Sequence, residues 1–201
     1  MTDLTLRCSC GSFTARIGPA SPKLGSRIEC LCDDCQAFAE FLGRVDEIFS
    51  SARGTEIYQT TTRRYRIESG AEHIACVSLK ERGLKRRYTS CCNTPIGNTM
   101  ATAKIAFIGV PRLAINTTDE ELDQTVGPIV AKVNGRFARG EMQSDVHARA
   151  PIGMLARWLR VGLGAQIRGE AKPHPFFSDE REPVVATQVL TAAERAALEN
   201  V

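Results

Sequence analysis

Little in this chain ties it to a membrane, a nucleic acid or the common hydrolases. No uninterrupted apolar run approaches the ~20 residues that span a bilayer, so no transmembrane segment is expected. Charge of neither sign dominates: 26 basic residues against 23 acidic leave +3, too small an excess to imply nucleic-acid binding. Histidine is scarce. His73, His147 and His174 all lie away from the cysteine motifs and read as surface or packing residues. His73 comes nearest to an exception, because it opens the strand that carries Cys76. There is no arrangement able to act as a Ser-His-Asp triad and no phosphate loop. The opening stretch "MTDLTLRCSC" has neither a basic n-region nor an apolar h-region, so no secretory signal is visible and the expected compartment is cytoplasmic.

Cysteine is what the chain has instead. Eight are present, in three groups: Cys8 and Cys10; Cys30, Cys32 and Cys35; Cys76, Cys91 and Cys92. In a reducing compartment, clustered cysteines read as metal ligands before disulfides. With 201 residues, 43% apolar and 24% charged, the chain can bury a core without disulfide scaffolding.

Residues 1–116 read as β-rich. "LTLRCSCGSFTARIG" alternates around a Cys-x-Cys-Gly; "GTEIYQTTTRRYRIESG" supplies two short runs; "KIAFIGVPRLAIN" is a further strand candidate. "HIACVSLKERGLKRRYTSCC" predicts a hairpin with Arg82-Gly83 at its tip. One helix interrupts this region: Phe38, Phe41, Leu42, Val45, Ile48 and Phe49 recur at three- and four-residue spacing from about Asp34 to Phe49, with Asp33 or Asp34 as cap. Residues 117–201 turn helical. "TTDEELDQTVGPIVAKVNGRFARGE" opens on a cap signal, Pro151 sits at a first turn, and Thr191 and Glu194 are spaced as a capping box. "AKPHPFFSDEREPVV" reads as an irregular connector. The expected architecture is therefore mainly β with α: a β domain over 1–116 and a helical C-terminal extension over 117–201.

Zinc favours thiolates in a tetrahedron, and C-x-C and C-x-x-C turns aim two sulfurs at one point. Gly11 permits the turn that the first pair needs. The middle trio combines both spacings in six residues. Buried inert thiols are the plain alternative. A redox dithiol would sit in a βαβ setting, which the pattern lacks. The expected cofactor is one or two Zn²⁺ per chain.

"RCSCGSF", "ECLCDDC" and "RRYTSCCNTPIGNT", in that order, resemble the motifs of the glutathione-dependent formaldehyde-activating (GFA) family, which also includes centromere protein V. The resemblance covers residues 6–116. It implies a β-tent fold with two zinc sites: a structural four-cysteine site that includes Cys8, Cys10 and Cys92, and an open three-cysteine site, considered catalytic, made by Cys30, Cys32 and Cys35. It also implies carbon–sulfur lyase chemistry on a small thiol adduct such as a glutathione conjugate. Three ligands leave a vacant corner, which separates a reactive zinc from a closed one.

The chain departs from that pattern in two places. Thr89 stands where the late motif should carry its first cysteine, and Leu31 stands where the family often has His. Cys91 is one candidate to complete the first site, provided the backbone turns there. Cys76 is the other: a two-residue loop puts Glu81 opposite Leu84 and Cys76 opposite Thr89, with Cβ atoms ~5 Å apart. A degraded site that binds no metal is the third possibility. Asp33 and Asp34 read as a solvent-facing cap rather than as charges aimed at the trio, and the basic run "KERGLKRR" (Lys80, Arg82, Lys85, Arg86 and Arg87) as a solvated tip, with a grip on an anionic substrate as the alternative. Arg157, Arg160 and Arg168 recur on one face of the helix around Trp158, which is expected to pack on the β domain. The alternative function is a non-catalytic zinc module that binds a partner, or a second copy of itself, through these C-terminal helices.

Overall fold

The computed structural model describes residues 2–139 and 144–198, without the side chains of Leu155 and residues 157–161. The chain is mainly β with helices, as expected. Its strands are β1 (Thr2–Arg7), β2 (Thr14–Ala20), β3 (Ser26–Cys30), β4 (Thr55–Thr60), β5 (Tyr65–Ser69), β6 (Ile74–Ser78), β7 (Lys85–Thr89), β8 (Pro95–Thr99), β9 (Ile108–Pro111), β10 (Ile129–Val133) and β11 (Thr187–Val189). The helices are α1 (Asp33–Leu42), α2 (Val45–Ile48), α3 (Asp119–Val126), α4 (Ile152–Ile167) and α5 (Ala192–Ala197). A three-stranded sheet runs β1-β2-β5, and an eight-stranded sheet runs β10-β3-β4-β9-β8-β7-β6-β11.

The main core draws on both sheets. Leu4, Leu6, Ala15, Ile17 and Tyr65 from the small sheet cluster with Tyr58, Ile96, Ile108 and Val110 from the large one. The opposite face of the large sheet is covered by α1, whose Ala37, Phe38 and Leu42 pack with Val77 and Leu79. Register fixes what lies under that helix. Directly paired residues share a face, as do residues two apart on one strand. Arg86 pairs with Asn98, Asn98 with Gly109, Ile57 with Pro111, and Thr55 with Cys30. Arg86, Asn98, Pro111, Thr55 and Cys30 therefore form one row across five strands.

Several sequence expectations change here. The single helix from Asp34 to Phe49 is two pieces, because Gly43 takes a left-handed cap (φ +64°) and ends α1. Neither Asp33 nor Asp34 caps α1. Cys32 holds the cap position in extended backbone, and the two acids fill the first turn, where a helix favours negative charge. The β6–β7 hairpin has a longer loop, Leu79 to Leu84: Val77 pairs with Arg86, so Thr89 faces Ile74, and Cys76 faces Arg87. The basic run is not all tip either, since Arg86 and Arg87 are buried.

Residues beyond 117 are not all helical. α3 carries its capping box at Thr118 and Glu121, but the chain then forms β10, parallel to β3. β11 adds to the other edge, parallel to β6, and α5 keeps the Thr191–Glu194 capping box. Of the expected arginine face on α4, Arg157 and Arg160 fall outside the described side chains. The "irregular connector" is anchored: Phe176 and Phe177 are buried in the main core, and the Arg87 guanidinium stacks on Phe176 at 4.6 Å. A fully buried Phe truncated to Ala costs about 3–5 kcal/mol. Phe176→Ala should therefore lower the urea midpoint of unfolding by that equivalent; an unchanged midpoint would return this segment to a loose connector.

Candidate metal centres

The first centre is built by two turns. After β1, the Gly11 N–H donates to the Cys8 carbonyl (2.9 Å) and the Cys8 N–H to the Phe13 carbonyl (3.1 Å). Gly11 holds φ +81°, a conformation that favours glycine. After β7 the chain turns at residues 90–92, with Asn93 left-handed (φ +53°) and its N–H donating to the Thr89 carbonyl at 2.8 Å. Arg44 ties the turns together, donating to the Cys92 carbonyl (2.5 Å) and to Ser9 Oγ (2.9 Å). The Ser9 N–H in turn donates to Thr94 Oγ1 (3.0 Å).

The turns bring four sulfurs to one point. Sγ separations are 3.5 Å for Cys8–Cys10, 3.3 Å for Cys10–Cys91, 3.8 Å for Cys91–Cys92 and 4.0 Å for Cys8–Cys91. All four sulfurs lie within 4.8 Å of one another. A tetrahedral ion with metal–sulfur bonds of about 2.3 Å requires sulfur–sulfur edges of about 3.8 Å. The group could hold a metal ion. Its thiols divide the charge unevenly. Burial opposes ionisation of Cys92, but hydrogen bonds from Thr89, Thr94 and Cys10 outweigh it and bring that thiol down to about 5. Loss of water around its sulfur, together with its thiol neighbours, pushes Cys91 up to about 12. Cys10 is lowered, chiefly by Ser12. Several adjacent thiolates repel one another without a cation among them.

The second centre sits where β3 runs into α1. Cys30 ends the strand, Cys32 occupies the helix cap position, and Cys35 lies in the first turn, its N–H donating to the Cys32 carbonyl at 3.0 Å. The three sulfurs lie within 4.8 Å of one another, with Cys30 and Cys32 at 3.4 Å. Among the described residues no fourth His, Cys, Asp or Glu joins them. Two residues support the loop. Buried Gln36 donates to the carbonyls of Leu31 (2.7 Å) and Phe137 (2.8 Å), and Asn134, just past β10, donates to the Cys30 sulfur at 3.4 Å. Cys30 is pushed up to about 11, first by its hydrogen bond with Cys32, and Cys35 to about 12, first by its hydrogen bond with Cys30. Cys32 also rises to about 12, as Cys35 and burial outweigh a lowering by Cys30.

Seven of the eight sequence candidates thus fall into two clusters. Cys91 joins the first because the backbone turns beneath it. Cys76 joins neither: it is buried on β6, and its sulfur is 3.5 Å from Thr187 Oγ1. Thr89, standing where a cysteine was expected, hydrogen-bonds to the Cys92 sulfur at 3.4 Å. Asp34 points away from the trio, to Lys80 (3.0 Å) and Arg195 (3.3 Å). Gln36 and Asn134 escaped the sequence reading, and Arg86 was noticed only as one charge of the basic run; the left-handed Asn134-Gly135 turn was the one local signal for Asn134.

A family model described as a family of unknown function (DUF6151) matches residues 2–187. The chain belongs to the DUF6151 family. The match to DUF6151 takes in both cysteine centres, β10 and α4, and ends at the first residue of β11. No curated protein matches the chain. Among solved structures, a crystal structure of a Rhodobacter sphaeroides protein aligns over 62% of this chain and 96% of its own, at 14% identity and a TM-score of 0.42. A likeness that distant carries no weight here.

Wild-type protein refolded with excess metal and desalted should retain two ions per chain. Cys91→Ser should retain one and Cys76→Ser two; a metal lost with Cys76 would contradict the grouping. Binding at the middle centre should weaken as pH falls. Its three thiols, raised to about 11 and about 12, are protonated at neutral pH, so each ion bound displaces up to three protons and affinity falls up to about 10³-fold per pH unit. Competition with a chelator at pH 6.5 and 7.5 measures that slope, and a flat profile would contradict it.

Proposed function

We propose that this chain is a zinc protein acting on sulfur compounds. In this reading Cys8, Cys10, Cys91 and Cys92 hold a closed structural zinc, and Cys30, Cys32 and Cys35 hold an open one that receives a thiol. The supporting observation is the contrast between the two clusters: four sulfurs close the first, and three, with no fourth ligand among the described residues, make the second. The donor set fits zinc, since soft thiolates select it over the hard cations. Bound by three thiolates, the ion would carry formal charge −1 and supply a soft open corner that suits another sulfur better than it ionises water. The chain's own residues do the positioning. Gln36 fixes the loop, Asn134 orients Cys30, and α1 fixes Cys35 over the sheet. The cysteine motifs resemble those of the GFA family, which supports carbon–sulfur lyase activity on a thiol adduct, a glutathione conjugate among the candidates.

A second reading, a non-catalytic zinc module that binds a partner, draws on α4, where Ile152 (85%), Leu163 (64%) and Ile167 (86%) are exposed. No helix among the described residues is long and apolar enough to cross a membrane. The two readings separate on one variant. In zinc-loaded Cys35→Ala, release of free thiol from a panel of thiol adducts should vanish while the circular dichroism and melting of the fold persist. Release that continues undiminished would sink the lyase reading and leave the module.

A further inference from the structure

The row beneath α1 contains an arrangement that the metal centres do not use. Arg86 is 2% exposed, and its guanidinium lies over the Phe38 ring at 5.2 Å. Among the described residues no carboxylate forms an ion pair with it within 4.0 Å, though the Asp34 carboxylate lies near enough to feel its charge. Beside it, Asn98 (4% exposed) has an unpartnered Oδ1, and Thr55 (6% exposed) an unpartnered Oγ1. These three side chains, with Cys35, Phe38 and Ala39 of α1, line a cavity of about 10 Å³, room for one small group. Buried polar atoms without partners are rare, and each calls for an occupant or a function.

The cavity has an approach. A groove of about 220 Å³ runs between α2 and the start of β4, lined by Glu29, Glu47 and Glu56 among others, and it shares Ile48, Thr55 and Pro111 with the cavity. Groove and cavity therefore adjoin at those three residues, and Cys35 lines the cavity. The groove's volume lies below the ~300 Å³ at which pockets for drug-sized ligands begin.

We infer that this groove and cavity form the entry path and binding site of a small thiol that binds as its thiolate, with Arg86 as the counter-charge and Thr55 and Asn98 as polar partners. The inference rests on reading the middle trio as an open metal site. Charge argues for the assignment. A divalent ion held by three thiolates would be −1, and a thiol that binds through sulfur, releasing its S–H proton to solvent, would make the centre −2 in a buried setting, where unbalanced charge is costly. Arg86 returns it to −1. Size argues for a thiol with few heavy atoms beyond its sulfur and against a tripeptide conjugate.

The test uses cobalt-loaded full-length protein, with the thiolate-to-cobalt absorption as readout. Titration with 2-mercaptoethanol should change the spectrum at a Kd at least tenfold below that of glutathione. Arg86→Gln, with its cobalt content intact, should weaken 2-mercaptoethanol binding tenfold or more. Ile48→Trp, at a half-buried position in the path that does not depend on a buried charge, should weaken it as well. Glutathione binding as tightly as 2-mercaptoethanol, no spectral response to either thiol, or an Ile48→Trp protein that binds like wild type would overturn the pocket while leaving the metal site standing. Cobalt content unchanged in Cys35→Ser would overturn the open metal site itself, and the pocket with it.

Discussion

Sulfur atoms gathered this closely could hold a cation among them. The first cluster sets its sulfurs 3.3–4.0 Å apart across the contacts between its turns, and the second sets Cys30 and Cys32 at 3.4 Å. As thiols they share protons, which pushes up the middle trio and Cys91 while Cys10 is lowered and Cys92 falls to about 5. As thiolates they repel. A divalent ion would turn that mutual repulsion into a crosslink, and structural zinc sites contribute on the order of 10–16 kcal/mol to folding. The first cluster joins the β1–β2 turn to the turn after β7, so an ion there would tie the small sheet to the large one. The second sits at the β3–α1 junction and would tie the large sheet to its covering helix.

The segment after residue 117 completes this frame. β10 lies against β3, and the turn after it brings Asn134 to Cys30 and the Phe137 carbonyl to Gln36. α5 sends Arg195 to Asp34 at the start of α1. Both ends of the loop that carries the trio are therefore held by residues more than a hundred positions away in sequence. Arg27, 3% exposed, adds a third tie, pairing with Glu56 at 2.7 Å and with Asp123 of α3.

The cysteine centres were legible because short-range spacing dictates their geometry. C-x-C and C-x-x-C bend the chain locally, and capping boxes at Thr118 and Thr191 are local as well. What the pattern concealed was non-local. β3 reads "SRIEC" and is buried on both faces, so it lacks the alternation that marks a half-exposed strand, and its Arg27 and Glu29 look like surface residues. β10 was masked by an apolar run of the kind that suits helix or strand alike. The choice between Cys76 and Cys91 turned on loop length: the β6–β7 loop runs from Leu79 to Leu84 rather than over two residues, which moves Cys76 opposite Arg87. Phe176 and Phe177 lie in a proline-rich stretch whose composition says loop, yet the core between the sheets takes both rings.

The centres differ in what they leave free, and that difference carries the functional reading. Cys10 and Cys91 of the first are exposed but meet within a complete set of four, whereas the trio is largely buried, incomplete among the described residues, and backed by the buried Arg86 guanidinium. The most direct test of the central claim is X-ray absorption at the zinc edge on reduced protein purified with the metal it acquires in the cell. Two ions per chain, with an average shell of more than three sulfurs at about 2.3 Å, is the result this account requires. Protein free of metal, or a shell dominated by nitrogen and oxygen, would contradict it.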